Sequence, residues 1–417
     1  MRLWRQPDFL KLWAGQTISL LGTQVTGLAL ALTAAVLLHA TPAEMGLIGS
    51  LNVLPFVLFG LPAGLWVDRV RRRPLLIATD IGRAILLASV PLAAVADRLG
   101  IPQLDVVSFG MGALSVVFRI AYGSYLPSVV SKADLADGNA KLALAEAIAR
   151  VGGPGLAGAL VQLLTAPLAI LVDCATFLVS AASLRAIRTH EEPPLVTHGR
   201  GALSQLRDGF QAVFGHALLR PLFVGTTLGN VADGVVFQSG VVVLFLTREL
   251  RLEPAILGAV FAGLGIGGLI GALLAWPARR ALGLGTTILA CLGLWSAGYG
   301  GMAFIAQSPL APVLAAMLLG AVGAINPIAG ANISTVRQSV TPHQLLGRVT
   351  AIANVGAATA ITAGSFAGGI VADNIGLRPT LVVGGLLPLL GLTWLLLSPV
   401  RGLRTLEALE SQYEAAD

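Results

Sequence analysis

One carboxylate, Asp233, lies in a long apolar stretch that carries no other charged residue between Arg220 and Arg248. Thr226, Asn230 and Asp233 follow one another at i, i+4 and i+7, so they share one face of a helix. Burial away from water disfavours the charged form of a carboxyl group, so Asp233 could take a proton from one side of an apolar barrier and release it to the other. We predict that Asp233 couples proton movement or binds a cationic compound. The alternative is a protonated carboxyl group that hydrogen-bonds to another helix.

Two other acids in apolar stretches are followed by an arginine at helical spacing. Asp80 precedes Arg83 by three residues, and Glu146 precedes Arg150 by four. Side chains at these spacings are neighbours on a helix surface, so each acid is predicted to pair with its arginine. A structural role is favoured over a direct role in transport, because isolated charges away from water are costly. Asp173 is predicted to brace neighbouring helices.

An arginine-rich turn separates two apolar runs. Residues 45–67 contain no Asp, Glu, Lys or Arg, and another apolar run begins at Leu75. Between them, residues 64–76 read Gly-Leu-Trp-Val-Asp-Arg-Val-Arg-Arg-Arg-Pro-Leu-Leu. Four arginines are too costly to place in hydrocarbon, so the turn is predicted to lie in water on one face of a bilayer.

The elements that position these residues must be membrane helices. Of 417 residues, 55% are hydrophobic and only 12% are charged, whereas about a quarter of the residues of soluble proteins are charged. The mean hydropathy of +0.82 agrees. The basic residues lie between apolar runs, so membrane topology explains them better than nucleic-acid binding does.

Sites for cofactors and metals are not predicted. The five histidines are scattered, and the two cysteines, Cys174 and Cys291, both lie in apolar runs, where they suggest neither a disulfide framework nor a metal site. The sequence has no phosphate-binding loop and no nucleophile elbow. We therefore expect a protein without cofactor, bound metal or enzymatic activity.

A helix that crosses a bilayer needs about 20 apolar residues, and twelve stretches satisfy this requirement. The fold class is therefore predicted to be an all-α membrane protein with twelve transmembrane helices. The predicted spans are residues 9–38, 43–66, 74–97, 104–127, 142–165, 167–187, 220–246, 254–276, 284–306, 310–335, 348–372 and 379–398.

The distribution of basic residues orients these spans. With the N-terminus inside the cell, 20 of the 27 lysines and arginines fall on or beside cytoplasmic segments, 4 fall on the opposite face and 3 lie within spans. Cytoplasmic loops carry the excess of Lys and Arg in membrane proteins. We therefore predict an integral plasma membrane protein with both termini in the cytoplasm.

The chain is predicted to consist of two related halves. A shift of 210 residues aligns residues 130–135 with 340–345 and Gly158 with Gly368. The longest polar insertion lies between the halves, and part of it, residues 203–214, is predicted to form an amphipathic helix. The predicted organisation is an N-terminal bundle at 1–187, a cytoplasmic linker at 188–219, a C-terminal bundle at 220–400 and a cytoplasmic tail at 401–417.

The arginine-rich turn resembles the signature loop of the major facilitator superfamily, Gly-x-x-x-Asp-Arg-x-x-Arg-Arg, between the second and third helices. Its positions are occupied here by Gly64, Asp68, Arg69, Arg72 and Arg73. Arg71 replaces the glycine of the commonest form, a departure associated with the drug-efflux branch that includes macrolide and enterobactin exporters. The resemblance implies the major facilitator fold, with two pseudo-symmetric six-helix bundles about a central cavity and this loop as a gate.

In this superfamily, the first, fourth, seventh and tenth helices line the cavity, and the same four predicted spans carry polar residues here. The residues that the resemblance implies for the substrate and proton pathway are Gln16, Thr23, Gln24, Arg119, Tyr122, Asn230, Asp233 and Asn326. For the hydroxyl groups of such stripes, the alternative is a hydrogen bond to their own backbone.

The fifth predicted span contains Gly-Gly-Pro-Gly-Leu-Ala-Gly at residues 152–158. Gly153, Pro154 and Gly158 resemble the antiporter motif Gly-Pro-x-x-Gly-Gly, with Ala157 in place of one glycine. Proline removes a backbone donor, and the glycines permit close helix packing. The resemblance implies that this packing seals the cavity on its outer side.

The resemblance implies a monomeric secondary active exporter of amphipathic or lipophilic compounds, driven by proton entry. Its partners would be a small-molecule substrate, protons and the lipid bilayer. Two alternatives in the same fold are a dedicated exporter of a siderophore or other metabolite, in which Arg119 would hold an anionic group, and a lysophospholipid carrier. A non-transporting membrane sensor or scaffold is a third alternative, from another functional class.

Overall fold

The structure is a computed structural model that describes residues 3–67, 69–189, 191 and 202–403. Within these ranges the chain is helical and contains no β-strand. Asp68 of the predicted gating loop lies outside the described residues, as do residues 192–201 of the predicted linker and the tail from residue 404 onward.

We number thirteen helices along the described residues and count each long crossing once. They are α1 (Pro7–Leu37), α2 (Pro42–Val67), α3 (Arg72–Val95), α4 (Ile101–Val129), α5 (Leu135–Leu164), α6 (Ala166–Ala186), α7 (Ala202–Gly215), α8 (Leu219–Glu249), α9 (Pro254–Leu282), α10 (Leu284–Met302), α11 (Ala311–Val340), α12 (His343–Ile375) and α13 (Leu377–Leu396).

Every helix except α7 corresponds to a predicted span. Eleven of the described helices are long and apolar enough to cross a membrane. The twelfth crossing is α10, which has 19 residues and no charged residue. The all-α, twelve-helix membrane fold is confirmed.

Some helices extend beyond the apolar residues that predicted them. The fifth crossing begins at Leu135 rather than at 142, and the eleventh begins at His343 rather than at 348. Hydropathy locates the lipid-facing part of a helix, whereas its backbone hydrogen bonds continue through polar turns in water.

The described chain divides into two compact units. The first comprises Met1–His198 together with Arg251–Ala262, and the second comprises Gly199–Leu250 together with Gly263–Asp417. The first turns of α9 therefore belong to the first unit, and the rest of α9 belongs to the second.

The same packing pattern occurs in both units. In the first unit, α1 packs on α5 and α6, α2 on α4, α3 on α4 and α6, and α5 on α6. In the second unit, α8 packs on α12 and α13, α9 on α11, α10 on α11 and α13, and α12 on α13. Each pair of the first unit has its counterpart in the second, so the pseudo-symmetric pair of six-helix bundles is confirmed.

Glycines allow two of these helices to approach very closely. A Cβ at Gly263 of α9 would lie 2.7 Å from the carbonyl oxygen of Ala316 of α11, and a Cβ at Gly267 would collide with the carbonyl oxygen of Gly320. Small residues bring membrane helices into van der Waals contact in this way.

The amphipathic helix predicted within the linker is present as α7, which packs on α12. Val213 of α7 packs against Leu219 and Val349. Asp208 of α7 also forms an ion pair of 2.6 Å with Arg348 of α12. The apolar face and the ion pair together attach the end of the linker to the second unit.

Candidate functional site

Asp233 lies where α8 changes its hydrogen-bonding pattern. The helix is α-helical from Leu219 to Asp233 and π-helical from Gly234 to Gln238. Such π segments inside α-helices often occur at functional sites. Asp233 is partly exposed at this position.

A tyrosine on another helix holds this carboxyl group. The hydroxyl group of Tyr299, on α10, donates a hydrogen bond of 2.5 Å to Asp233 Oδ1. Tyr299 has no exposed surface, and its ring packs beside Trp295, with ring centroids 6.5 Å apart. The hydrogen bond to another helix, which the sequence offered as an alternative for Asp233, is therefore present.

The other two members of the polar stripe on α8, Thr226 and Asn230, differ in their surroundings. Thr226 donates its hydroxyl hydrogen to the backbone carbonyl of Leu222 at 2.8 Å. Asn230 is partly exposed, one turn before Asp233. Asn230 and Asp233 are thus the two polar groups that this stripe presents.

The candidates on α1 lie in different surroundings. Thr23 is exposed and donates to the carbonyl of Ser19 at 2.9 Å, so its hydroxyl is bonded to its own helix. Gln24 packs against Gly153 of α5, where a Cβ would collide with its side chain.

Gln16 and Tyr122 line the same narrow crevice in the first unit, between α1, α4 and α6. Gln16 Oε1 and the Tyr122 hydroxyl oxygen are buried there without a hydrogen-bond partner among the described residues. The structure therefore brings these two predicted residues together.

Two other candidates are exposed on their helices. Arg119 of α4 places its guanidinium 5.3 Å from the centroid of the Phe56 ring of α2. Asn326 of α11 is exposed as well.

The first predicted charge pair is present. Asp80 and Arg83 form an ion pair on α3, and both side chains are buried. The Arg83 guanidinium lies 4.2 Å from the ring centroid of Phe118 and 4.3 Å from that of Phe177, so it is held between aromatic rings of α4 and α6. Cation–π contacts of this kind stabilise a desolvated arginine.

The second predicted pair is wrong. Glu146 and Arg150 are both exposed, and no ion pair within 4.0 Å joins them among the described residues. Spacing of four residues places two side chains on one face, but an exposed ion pair gains too little energy to hold two long side chains in one conformation.

Asp173 of α6 joins α6 to α1, as predicted for a brace. The Thr26 hydroxyl of α1 donates to Asp173 Oδ2 at 2.6 Å, and the Thr176 hydroxyl donates to Oδ1 at 2.7 Å. Gly22 of α1 permits this approach, because a Cβ there would collide with both Asp173 and Thr176.

Two arginines of the predicted gating loop form hydrogen bonds with residues at the end of α6 and just after it. The backbone N–H groups of Arg72 and Arg73 donate to the Glu191 carboxylate at 2.7 and 3.2 Å. The Arg73 side chain donates to the carbonyls of Leu184 and Arg185 at 2.9 and 2.6 Å. The free N–H groups at the start of a helix bind a carboxylate well.

The remaining loop residues make fewer contacts. Arg69 is exposed, and a Cβ at Gly64 would meet no neighbouring atom within 4 Å. The role of the loop as a gate, including that of Asp68, remains a prediction.

Sequence reasoning missed two carboxylates at this end of the first unit, Glu191 and Asp8. Asp8 Oδ2 accepts hydrogen bonds from the backbone N–H groups of Arg188 and Thr189, at 3.1 and 2.9 Å. Lys11 also contacts Asp8, because its Nζ donates a hydrogen bond to Asp8 Oδ1 at 2.9 Å. The available signal was the presence of acidic residues in segments that are otherwise basic.

The antiporter-like motif packs against the first turns of α9. A Cβ at Gly158 would lie 2.5 Å from the carbonyl oxygen of Pro254, and a Cβ at Gly258 would lie 2.5 Å from that of Pro154. The two glycines face each other, so the close packing expected of Gly158 is present. Whether this packing seals a cavity remains a prediction.

One histidine outside the membrane helices caps α8. His216 Nδ1 accepts a hydrogen bond from the backbone N–H of Leu218 at 3.1 Å. Burial lowers the pKa of His216 below its usual value. The neutral imidazole is therefore the form that fits this position.

Comparisons with known proteins agree with this arrangement. The chain matches a family described as "Transmembrane secretion effector" over residues 3–415. It is 28% identical over 346 residues to the multidrug efflux pump Tap of Mycolicibacterium fortuitum, across 81% of this chain and 82% of that protein. It is 25% identical over 411 residues to YfiS, an uncharacterized MFS-type transporter of Bacillus subtilis (strain 168), across 94% of this chain and 93% of that protein.

A solved structure shares the fold. The crystal structure of a bacterial homologue of the iron transporter ferroportin, in an inward-facing state, matches with a TM-score of 0.75 and 18% identity. The match covers 93% of this chain and 98% of that chain. At this identity the likeness concerns the fold alone.

Proposed function

The chain belongs to the transmembrane secretion effector family of major facilitator transporters, and we propose that it exports lipophilic or amphipathic compounds, in the manner of a multidrug or antibiotic efflux pump. Export is driven by proton entry and proceeds by alternating access. The similarity to the efflux pump Tap, over 81% of this chain, supports the direction and the substrate class.

One observation carries the proposed coupling. Asp233 is a partly exposed carboxyl group within a membrane-crossing helix, and Tyr299 donates to only one of its two oxygens. The other oxygen makes no hydrogen bond to the described side chains, so it is available to a proton or to a cationic group of a substrate. Burial favours the neutral form of a carboxyl group in such a site, and a carboxyl group within a membrane helix is typical of proton and substrate pathways.

The proposed location is the plasma membrane, with both termini in the cytoplasm, because 20 of the 27 lysines and arginines lie on or beside the segments assigned to that face. The proposed partners are a small-molecule substrate, protons and the surrounding lipid, and the proposed working unit is a monomer.

The test is proton-driven efflux of a fluorescent lipophilic cation, such as ethidium, from a pump-deficient bacterium that produces the full chain. Asp233→Asn is expected to abolish efflux while the protein remains at its normal level in the membrane. Asp373→Asn is the matched control, because Asp373 is an exposed acid near the end of α12. Full efflux by Asp233→Asn would exclude the coupling role.

A second candidate function follows from Arg119. Its guanidinium is exposed and has no carboxylate within 4.0 Å among the described residues. An exposed guanidinium without a carboxylate partner would bind the anionic group of a siderophore, another metabolite or a lysophospholipid. For that function, Arg119→Gln would abolish export of an anionic compound, while Asp233→Asn would leave its binding unchanged.

Folded protein in liposomes that shows no proton flux with cationic or anionic compounds would instead favour a sensor or scaffold.

A further inference from the structure

Three buried ionisable side chains lie together in the first unit. Asp80 and Asp173 have no exposed surface, and Arg83 is 6% exposed. Asp80 forms an ion pair with Arg83, and both residues act electrostatically on Asp173 of the neighbouring helix α6. We call Asp80, Arg83 and Asp173 the α3–α6 charge cluster.

The charges of this cluster do not balance. With both acids ionised, it would carry two negative charges and one positive charge at a site closed to water. An uncompensated buried charge is costly, so a group in this position binds a proton instead. Because Asp80 is already paired with Arg83, the remaining carboxyl group, Asp173, is the one expected to be neutral.

The hydrogen bonds around Asp173 can accommodate both the carboxylate and the carboxylic acid. The Thr176 hydroxyl oxygen lies 2.7 Å from Asp173 Oδ1 and 2.9 Å from the main-chain carbonyl oxygen of Asp173. A hydroxyl group has a single hydrogen, so it can donate a full hydrogen bond to only one of these two acceptors at a time. In the carboxylate form, the Thr176 hydroxyl donates to Oδ1. In the acid form, the hydroxyl donates to the main-chain carbonyl instead, and the proton on Oδ1 is donated to the Thr176 hydroxyl oxygen.

Among the described residues, Arg83 supplies the positive charge that acts on Asp80 and Asp173, and the helices packed around them add no second one. Cys174 is adjacent on α6, and α1 contributes the Thr26 hydroxyl. On α4, Tyr122 lines the crevice described above, and Arg119 is exposed. On α5, Glu146 and Arg150 are exposed.

Polar side chains line a crevice beside the cluster. The crevice between α1, α4 and α6 is lined by Lys11 at one end of α1 and by Ser180 on α6. Gln16 and Tyr122 place buried polar atoms without hydrogen-bond partners along it. Ser180 lies beside Asp80, whose Oδ2 is also buried without a hydrogen-bond partner among the described residues.

We propose that the α3–α6 charge cluster is a proton-binding site, separate from Asp233, which holds one exchangeable proton on its two carboxyl groups and exchanges it along this crevice. The end of the crevice at Lys11 is the one that the basic residues predict to be cytoplasmic. The reaction is the addition of a proton to a carboxylate to give a carboxylic acid, and it needs no other reactant. The proposal does not rest on the export function.

Infrared difference spectroscopy of the purified full-length protein in lipid nanodiscs tests it. A protonated carboxyl group has a carbonyl stretch that is distinct from the carboxylate bands and shifts in deuterated water. The wild type is expected to show such a band that titrates between acidic and alkaline pH. Asp173→Asn is expected to remove it with the fold retained, because asparagine matches the shape of the neutral acid, and Asp233→Asn is expected to leave it in place.

Two further variants examine the hydrogen bond and the route. Thr176→Val keeps the carboxyl group and is expected to shift the frequency of the band without removing it. Gln16→Leu is expected to slow the isotope exchange of the band without changing its amplitude. An unchanged band in Asp173→Asn, or a band that does not respond to pH, would overturn the proposal. Unaltered exchange in Gln16→Leu would overturn the route.

Discussion

Replacement of Glu191 should destabilise the start of α3. In the first turn, Arg72 and Arg73 donate their backbone N–H groups to the Glu191 carboxylate, and Pro74 has no N–H to satisfy. Glu191 thus completes the hydrogen bonding of this helix end, which otherwise lacks partners. Its side chain is only 7% exposed, so water cannot easily replace it.

The size of the effect follows from these contacts. Loss of a helix cap costs about 0.5–2 kcal/mol, and a hydrogen bond to a charged group contributes about 1.5–3 kcal/mol. We expect Glu191→Ala to lower the local stability of the first turn of α3 by about 2–3 kcal/mol. Glu191→Gln keeps one acceptor oxygen and should lose about 1 kcal/mol.

Hydrogen–deuterium exchange of the peptide that contains Arg72 and Arg73 measures this loss. An opening free energy lower by 2–3 kcal/mol corresponds to exchange faster on the order of 30–150-fold. The matched control is Asp137→Ala, which removes an ion pair to Lys141 in which the acid is 45% exposed, and which should change stability by about 0–1 kcal/mol. Equal exchange in wild type and Glu191→Ala would refute the capping argument.

Three other substitutions test different parts of the fold. Gly158→Val places a side chain against the carbonyl oxygen of Pro254 in α9 and is expected to reduce the amount of folded protein in membranes. Gly155→Ala, where a Cβ meets no atom within 4 Å, should be tolerated or slightly stabilising. Arg83→Lys loses the planar contact with two phenylalanine rings and should lower the thermal stability of the purified protein, whereas Arg150→Lys, at an exposed position, should not. The lowered pKa of His216 means that the unfolded chain binds a proton more readily than the folded one. The contribution of His216 is therefore present above a pH of about 6.5, the pKa of unperturbed histidine, and is lost as the pH falls through the lower folded pKa. His216→Asn, which retains a capping acceptor, should remove this pH dependence in thermal unfolding curves, and an unchanged curve would contradict it.

The sequence alone was sufficient to predict the membrane class, the twelve crossings and the two related halves. These properties are set by composition along the chain, because apolar stretches without charges are stable only in lipid or in a buried core. It also located the Asp80–Arg83 pair, since residues three apart on a helix are neighbours wherever that helix packs.

The tertiary structure decided which polar groups meet across helices. Asp233 bonds to Tyr299, Asp173 bonds to Thr26, and Glu191 caps the helix that begins at Arg72, in each case across more than sixty positions of sequence. Helical periodicity tells which residues share a face, but it contains no information about which face of another helix lies opposite. The same limit explains the wrong pairing of Glu146 with Arg150, since spacing permits an ion pair but does not require one, and an exposed pair gains little energy from forming.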